Sequence, residues 1–357
     1  MQASESADNQ GFLLEILKGL VPGEECQQLD MGNLDWPNLV QIAKNTRTEF
    51  LLLRGLEARG LGAPEAILSD LRQLKQRLLH RNMAHVASTV RMSRILQTHG
   101  IETLSVKGVL RAHEVYGQWD IRFASDMDLL VRHTDYRHAG EVLMNGGYDI
   151  LVPTTCDWWH HYLGEAPFQP RTATGPTIDL HHKLDQPGTP ALENAEFLFA
   201  SAVARPFGGH NVKVLEPFAA LMLAATGVGK ALRQHEPCLA YLHEIAYARA
   251  CDAALSDDAL DAYAKEHNVW RLWRHARDAA DGMFRPSTGR GAPSDIEGVM
   301  QDLAVHSWPQ RMLHRTRLLW RWTDGEALRA FRFAREFARV RASMLSHASY
   351  EKQSQAS

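Results

Sequence analysis

Apolar positions recur at helical spacing through the first part of the chain. GFLLEILKGL (11–20) predicts one amphipathic helix, and WPNLVQIAKNTRTEFLLLRGLEARG (36–60) continues the pattern up to a stop at Gly60. APEAILSDLRQLKQRLLHRNMAHVASTVRMSRILQTHG (63–100) is a long run of strong helix formers that ends at Gly100. The pattern then changes to short alternating or fully apolar runs. IETLSVKG (101–108) predicts a strand ending in Lys-Gly, VLRAHEVYG (109–117) a helix turning out of it, and DMDLLVR (126–132) a second strand. TDYRHAGEVLMNGGY (134–148) predicts an amphipathic helix with Thr134 as N-cap and Gly146-Gly147 as its stop. HHYLGEAPFQP (160–170) and GPTIDLHHKL (175–184) predict two strands joined by a Gly/Pro/Thr turn, and VARPFGGHNVKVLE (203–216) a hairpin centred on Gly208-Gly209. From 217 helical periodicity returns in FAALMLAATGVGKALRQ, LAYLHEIAYARACDAAL and DDALDAYAKEHNVWRLWRHARDAADGMF. RPSTGRGAPSD (285–295) is a Pro/Gly/Ser linker, and a basic, aromatic stretch follows it. Three parts result: a helical region 1–99, an α/β core 100–216, and a helical region 217–357 with its linker near 285–295.

Composition adds little bias. The 357 residues are 45% hydrophobic and 23% charged with a formal net charge of -3, so nothing global points to nucleic acid or membrane. The four cysteines, Cys26, Cys156, Cys238 and Cys251, form no CxxC pair, which argues against a zinc knuckle or a disulfide framework and for a reducing, cytoplasmic setting. The N-terminal MQASESADNQ lacks a basic n-region, so no signal peptide is expected. The longest apolar run, FAALMLAATGVG (218–229), is too short to span a bilayer, so no transmembrane segment is expected.

The chemistry starts at IRFASDMDLLVR (121–132). Period-two alternation puts Asp126 and Asp128 on one face of a strand, where two ionised carboxylates repel unless a cation lies between them. A divalent metal with hard oxygen ligands is the usual solution. On its own, D-x-D reads equally well as two solvated aspartates. Three features favour the metal. Lys107-Gly108 ends the preceding strand where a helix begins, a setting in which backbone amides and the helix N-terminus receive phosphate. Arg122 lies within reach as a bidentate phosphate ligand. Asp179, in TIDLHH, offers a third carboxylate on another strand, with Ile178 and Leu180 turned to the core.

Taken together, SVKGVLRAHEVYGQWDIRFASDMDLLVRHTDYRHAGEVLMNGGYD followed by TIDLHHKL resembles the bacterial nucleotidyltransferase-like family of the DNA polymerase β superfamily. The resemblance covers about residues 101–184. It implies an α+β fold: a polymerase β-like core, a small mixed sheet with helices, flanked by N- and C-terminal helical regions. It implies that Asp126 and Asp128 bind metal and that Asp179 is the third carboxylate, orienting the attacking hydroxyl. Lys107 and Gly108 stand where the superfamily usually has Gly-Ser, with Ser105 nearby, and Arg122 and Ser125 become phosphate contacts. The implied reaction moves a nucleoside monophosphate from an NTP to an acceptor hydroxyl by two-metal in-line displacement, with two Mg²⁺ or alternatively Mn²⁺. The acceptor is left open among small molecules, peptides or proteins, and RNA ends.

His181 falls on the same face as Asp179, so it is expected to orient a carboxylate or touch phosphate; His160, His161 and His182 read as strand surface. Lys230 and Arg233 read as helix-ending cations in preference to nucleotide contacts reaching into the cleft. WPQRMLHRTRLLWRWTDGEALRAFRFAREFARVRASM (308–344) interleaves arginines with Trp308, Trp320, Trp322, Phe331, Phe333 and Phe337. The favoured reading is a helix pair docked by its aromatics, and the sharper one is contact with an anionic partner such as RNA or a membrane surface. Two rival functions remain: a nucleotide- or partner-binding module without turnover, suggested by the missing Gly-Ser, and a zinc hydrolase built from the histidine pairs and Asp179.

Overall fold

The computed structural model describes residues 2–25, 34–151, 164–172, 175–184, 189–192, 195–207, 209–289 and 308–322, with isolated positions at 29, 31 and 32 and between 328 and 345. Cys26, Cys156, His160, His161 and most of the 285–295 linker lie outside the described residues.

Four helices come first: α1 (Gln2–Lys18), α2 (Trp36–Asn45), α3 (Glu49–Ala58) and α4 (Glu65–Thr98). The mixed section follows as β1 (Thr103–Ser105), α5 (Gly108–Tyr116), β2 (Asp126–Val131), α6 (Tyr136–Asn145), β3 (Tyr148–Ile150), β4 (Glu165–Pro170), β5 (Thr177–His181), α7 (Ala195–Ala200), β6 (Val203–Phe207) and β7 (His210–Val214). The chain then returns to helix in α8 (Pro217–Gln234), α9 (Leu239–Cys251), α10 (Asp257–Glu266), α11 (Trp270–Phe284) and α12 (Trp308–Trp322). Among the described residues no helix is long and apolar enough to cross a membrane.

The strands form one seven-stranded mixed sheet in the order β3-β4-β5-β2-β1-β7-β6. β2 sits at its centre, antiparallel to β1 and parallel to β5. Its sequence explains that position: every residue from Met127 to Val131 is buried, as a central strand covered on both faces requires. Met127, Leu129 and Val131 pack with α6 and the end of α4, whereas Leu130 packs into a larger core shared with α1, α8, α9 and α11. The two faces of one strand therefore belong to two cores, and the carboxylates lie at the entrance to the second.

Two long helical patterns are each broken in the middle. Residues 36–60 form α2 and α3, because the chain closes after Ala43: Thr48 N–H reaches back to Ala43 O at 2.7 Å with Arg47 at φ 58°. Residues 257–284 form α10 and α11 in the same way, with Val269 N–H on Ala264 O at 2.9 Å and Asn268 at φ 59°. The expected N-cap Thr134 is displaced by Asp135, which makes no side-chain cap bond, so α6 starts one residue late. β3 and α7 are short elements that the hydrophobic pattern did not separate from their neighbours. In the basic C-terminal stretch, Leu318 and Trp322 are buried, and Trp322 Nε1 donates to His275 Nδ1 at 3.0 Å while Trp320 is exposed.

Candidate active site

The site is assembled where β1, β2, β4 and β5 begin or end together. Parallel pairing of β2 with β5 sets Asp128 directly opposite Asp179, with Ile178 and Leu180 fully buried on the reverse face. Antiparallel pairing of β4 with β5 then sets Glu165 opposite His181. Asp128, Asp179 and His181 offer ligand atoms that all lie within 4.8 Å of one another. Asp126 begins the strand, half-buried, and lies outside that group.

Lys107 leaves β1 beside them, since Val106 N–H still holds Asp128 O at 3.2 Å. Its ammonium donates to Asp128 Oδ1 at 3.3 Å. His181 Nε2 contacts the same oxygen at 3.1 Å, and its Nδ1 lies 3.2 Å from Glu165 Oε2. Both ring nitrogens of His181 are thus taken up by carboxylates. Gly108 opens α5 at φ +75°, a conformation that favours glycine, and a Cβ there would sit 3.7 Å from Asp126 O. Ser125 stands exposed just before β2, its carbonyl accepting the Thr177 hydroxyl at 3.5 Å.

The two facing aspartates carry opposite electrostatic loads. Burial works against the Asp128 charge, but Lys107 and His181 outweigh it and hold the carboxyl well below the usual carboxylate range. Burial likewise opposes the Lys107 charge, and Asp128 more than compensates, pushing that ammonium's pKa up. At Asp179 the balance falls the other way, because His181 opposes the rise only in part. Burial, then the neighbouring Asp126 charge, push it up to about 7. Asp128 and Asp179 present hard carboxylate oxygens beside one another, with His181 between carboxylates next to them, an arrangement that fits a divalent cation such as Mg²⁺ or Mn²⁺.

Arg122, expected at the phosphates, is held by an acid. Its Nη1 donates to Glu244 Oε2 at 2.7 Å, and its guanidinium lies 4.8 Å from the centre of the Tyr241 ring. Arg111 Nε takes the other Glu244 oxygen at 2.8 Å. The loop carrying Arg122 is pinned from behind by the fully buried Asn82 of α4, whose amide donates to the carbonyls of Trp119 and Arg122. His182 is buried rather than exposed, its ring 4.7 Å from that of Tyr136 on the opposite side of the strand.

Glu165, Asn82, Arg111, Tyr241 and Glu244 were not singled out from sequence. Each is a lone residue in an unremarkable helix or strand, and only register or helix docking brings it to the site.

A family model described as an uncharacterised nucleotidyltransferase matches residues 32–285. No curated protein matches the chain. No solved structure matches it either. The matched span covers most of the chain, from α2 through α11, so the protein belongs to that nucleotidyltransferase family.

Proposed function

We propose that this member of the nucleotidyltransferase family transfers a nucleoside monophosphate from an NTP to an acceptor hydroxyl, at a divalent metal held by Asp126, Asp128 and Asp179. The observation that carries the reading is the register of β2 against β5, which holds Asp128 and Asp179 face to face around a charge that, among the described residues, Lys107 and His181 offset in part. Magnesium, when bound, supplies charge neutralisation for the phosphates and a lowered pKa for a hydroxyl near it. The chain's own groups do the rest. His181, braced by Glu165, fixes the orientation of the Asp128 carboxylate. Asp179 accepts the hydrogen bond of the acceptor hydroxyl and so aims its oxygen at the α-phosphorus. Lys107, Gly108 and Ser125 line the phosphate approach, with the N-terminus of α5 behind them. We assign this chemistry to residues 100–216, with the helical regions 1–99 and 217–357 supplying the walls.

The test is transfer of label. Purified protein is incubated with Mg²⁺, fractionated acceptors, and NTPs labelled at either the α- or the γ-phosphate. The account predicts acceptor labelling from the α-position alone, lost in Asp128→Asn. Labelling from the γ-position, or α-labelling undiminished in Asp128→Asn, would overturn it.

A further inference from the structure

The basic stretch that opens at Trp308 divides into two halves that behave differently. In α12, Leu318 and Trp322 are buried, so that helix is docked on the body of the protein. Beyond it, the described positions between Leu328 and Leu345 are helical, and every one of their side chains is exposed. Leu328 is 66%, Phe331 62% and Leu345 71% accessible, the three highest values among the large hydrophobic side chains of the described residues.

Single apolar side chains scattered over a surface need no explanation. These are not scattered. At about 100° per residue, Phe331, Ala334, Ala338, Ala342 and Leu345 fall within one arc of about 80°. Arginines border both edges of that stripe. Arg341 stands on one side and Arg335 on the other, with Arg339 and Arg332 following Arg335 round the helix. Across 328–345 the sequence carries five arginines and one glutamate, in a chain whose formal net charge is -3.

This pattern discriminates between partners. A second copy is disfavoured, because pairing two such stripes in either direction brings arginine against arginine. A single nucleic-acid strand is held by stacking on aromatic rings, and among the described residues the stripe offers one ring and four aliphatic side chains. An anionic lipid surface uses every feature. The apolar stripe enters the boundary between headgroups and acyl chains, while the arginines lay their stems along it and bring their guanidinium groups to lipid phosphates. The helix would lie on such a surface and not cross it, since no described helix is long and apolar enough to span a membrane.

We propose that the exposed stripe from Phe331 to Leu345 docks on an anionic lipid surface, with Phe331 and Leu345 inserted and Arg332, Arg335, Arg339 and Arg341 on the headgroups. This docking is independent of the nucleotide reading and holds or fails without it.

The experiment is flotation of the purified full chain with vesicles of phosphatidylcholine alone or of phosphatidylcholine mixed with phosphatidylglycerol, at low and at raised salt. Two variants accompany wild type: Phe331→Ser/Leu345→Ser and Arg332→Gln/Arg335→Gln/Arg339→Gln. All five side chains are exposed, so both variants should keep the wild-type melting temperature. Wild type should float with the phosphatidylglycerol vesicles, not with phosphatidylcholine alone, and raised salt should weaken the association. Each variant should bind at least about tenfold more weakly, through lost apolar insertion in the first and lost headgroup attraction in the second. Absence of flotation, or equal flotation with both vesicle types, overturns the proposal. Undiminished binding by the serine variant does so too, because charge alone would then explain the attraction. Single-stranded RNA that displaces the vesicles and needs Phe331 and the same arginines would assign the helix to nucleic acid instead. A wild-type dimer that the serine variant abolishes, seen by light scattering, would assign the stripe to a second copy.

Discussion

Asp128 and Asp179 share one register step and differ in sign of effect. Asp128 is stabilised by Lys107 and His181, so Asp128→Asn strands a cation and a histidine contact. The cost should be about 2–3 kcal/mol, below that of a fully buried pair because Lys107 is partly open to water, and urea denaturation measures it. Asp179 bears a charge that burial and Asp126 disfavour. Its folded pKa, about 7, lies above its unfolded value, so the folded state holds the proton longer. Stability of the metal-free protein therefore falls as pH rises from the ordinary aspartate range to about 7, and stays low above it. Asp179→Asn should accordingly melt higher than wild type at about pH 8 in chelator and show no such gain near pH 3, below both the folded and the unfolded value, where Asp179 is mostly protonated in both states. For the same reason Mn²⁺ affinity should rise with pH up to about 7 and then level, because metal must displace the Asp179 proton. Lys107→Met removes the cation that occupies Asp128 Oδ1 and should tighten Mn²⁺ binding while weakening NTP binding, two calorimetric changes of opposite sign. Asp126, Asp128 and Asp179 could be picked out as candidates from sequence because alternation turns each away from its core-facing neighbours; that Asp179 faces Asp128 follows only from the pairing of β2 with β5. Glu165 and Glu244 could not, because their roles exist only after β4 registers on β5 and α9 docks on α5.

At the scale of elements, the same closing turn ends helices at Gly60, Gly100, Arg47 and Asn268. In each, an N–H reaches back five residues: Leu61 to Leu56, Ile101 to Leu96, Thr48 to Ala43 and Val269 to Ala264. All four hinge residues have φ near +60° to +76°. The glycine pair announced itself in the sequence. The breaks at Arg47 and Asn268 did not, because neither residue interrupts the apolar periodicity and tertiary packing imposes the left-handed turn. Arg47 is exposed and carries a side chain where glycine is preferred. Arg47→Gly should therefore raise stability by up to about 1 kcal/mol, read as a higher denaturant midpoint with unchanged slope. Strand β2 shows the opposite case: its alternation sets which face carries the carboxylates, since a one-residue slip would bury Asp128 against α6 and move Leu129 to the carboxylate face.

At the scale of the molecule, one core joins parts that look separate along the chain. Leu13 and Ile16 of α1, Leu130 of β2, Leu221 of α8 and Trp273 of α11 belong to the same buried cluster. The sequence separates these regions by texture and does not reveal that they share an interior. Ile16→Ala, far from the carboxylates, should cost about 2–5 kcal/mol and should lower the same single melting transition that Mn²⁺ raises. Two resolved transitions, with only one responding to the metal, would contradict a shared core. Within this nucleotidyltransferase-family chain, the carboxylate centre is proposed as a metal-dependent nucleotide site. Calorimetric titration of wild type and Asp126→Asn/Asp128→Asn with each NTP, with and without Mg²⁺, tests it most directly. At least one NTP should bind wild type only when Mg²⁺ is present and should not bind the double variant; NTP binding that survives the double substitution, or that ignores Mg²⁺, would rule out a metal-dependent nucleotide site at these carboxylates.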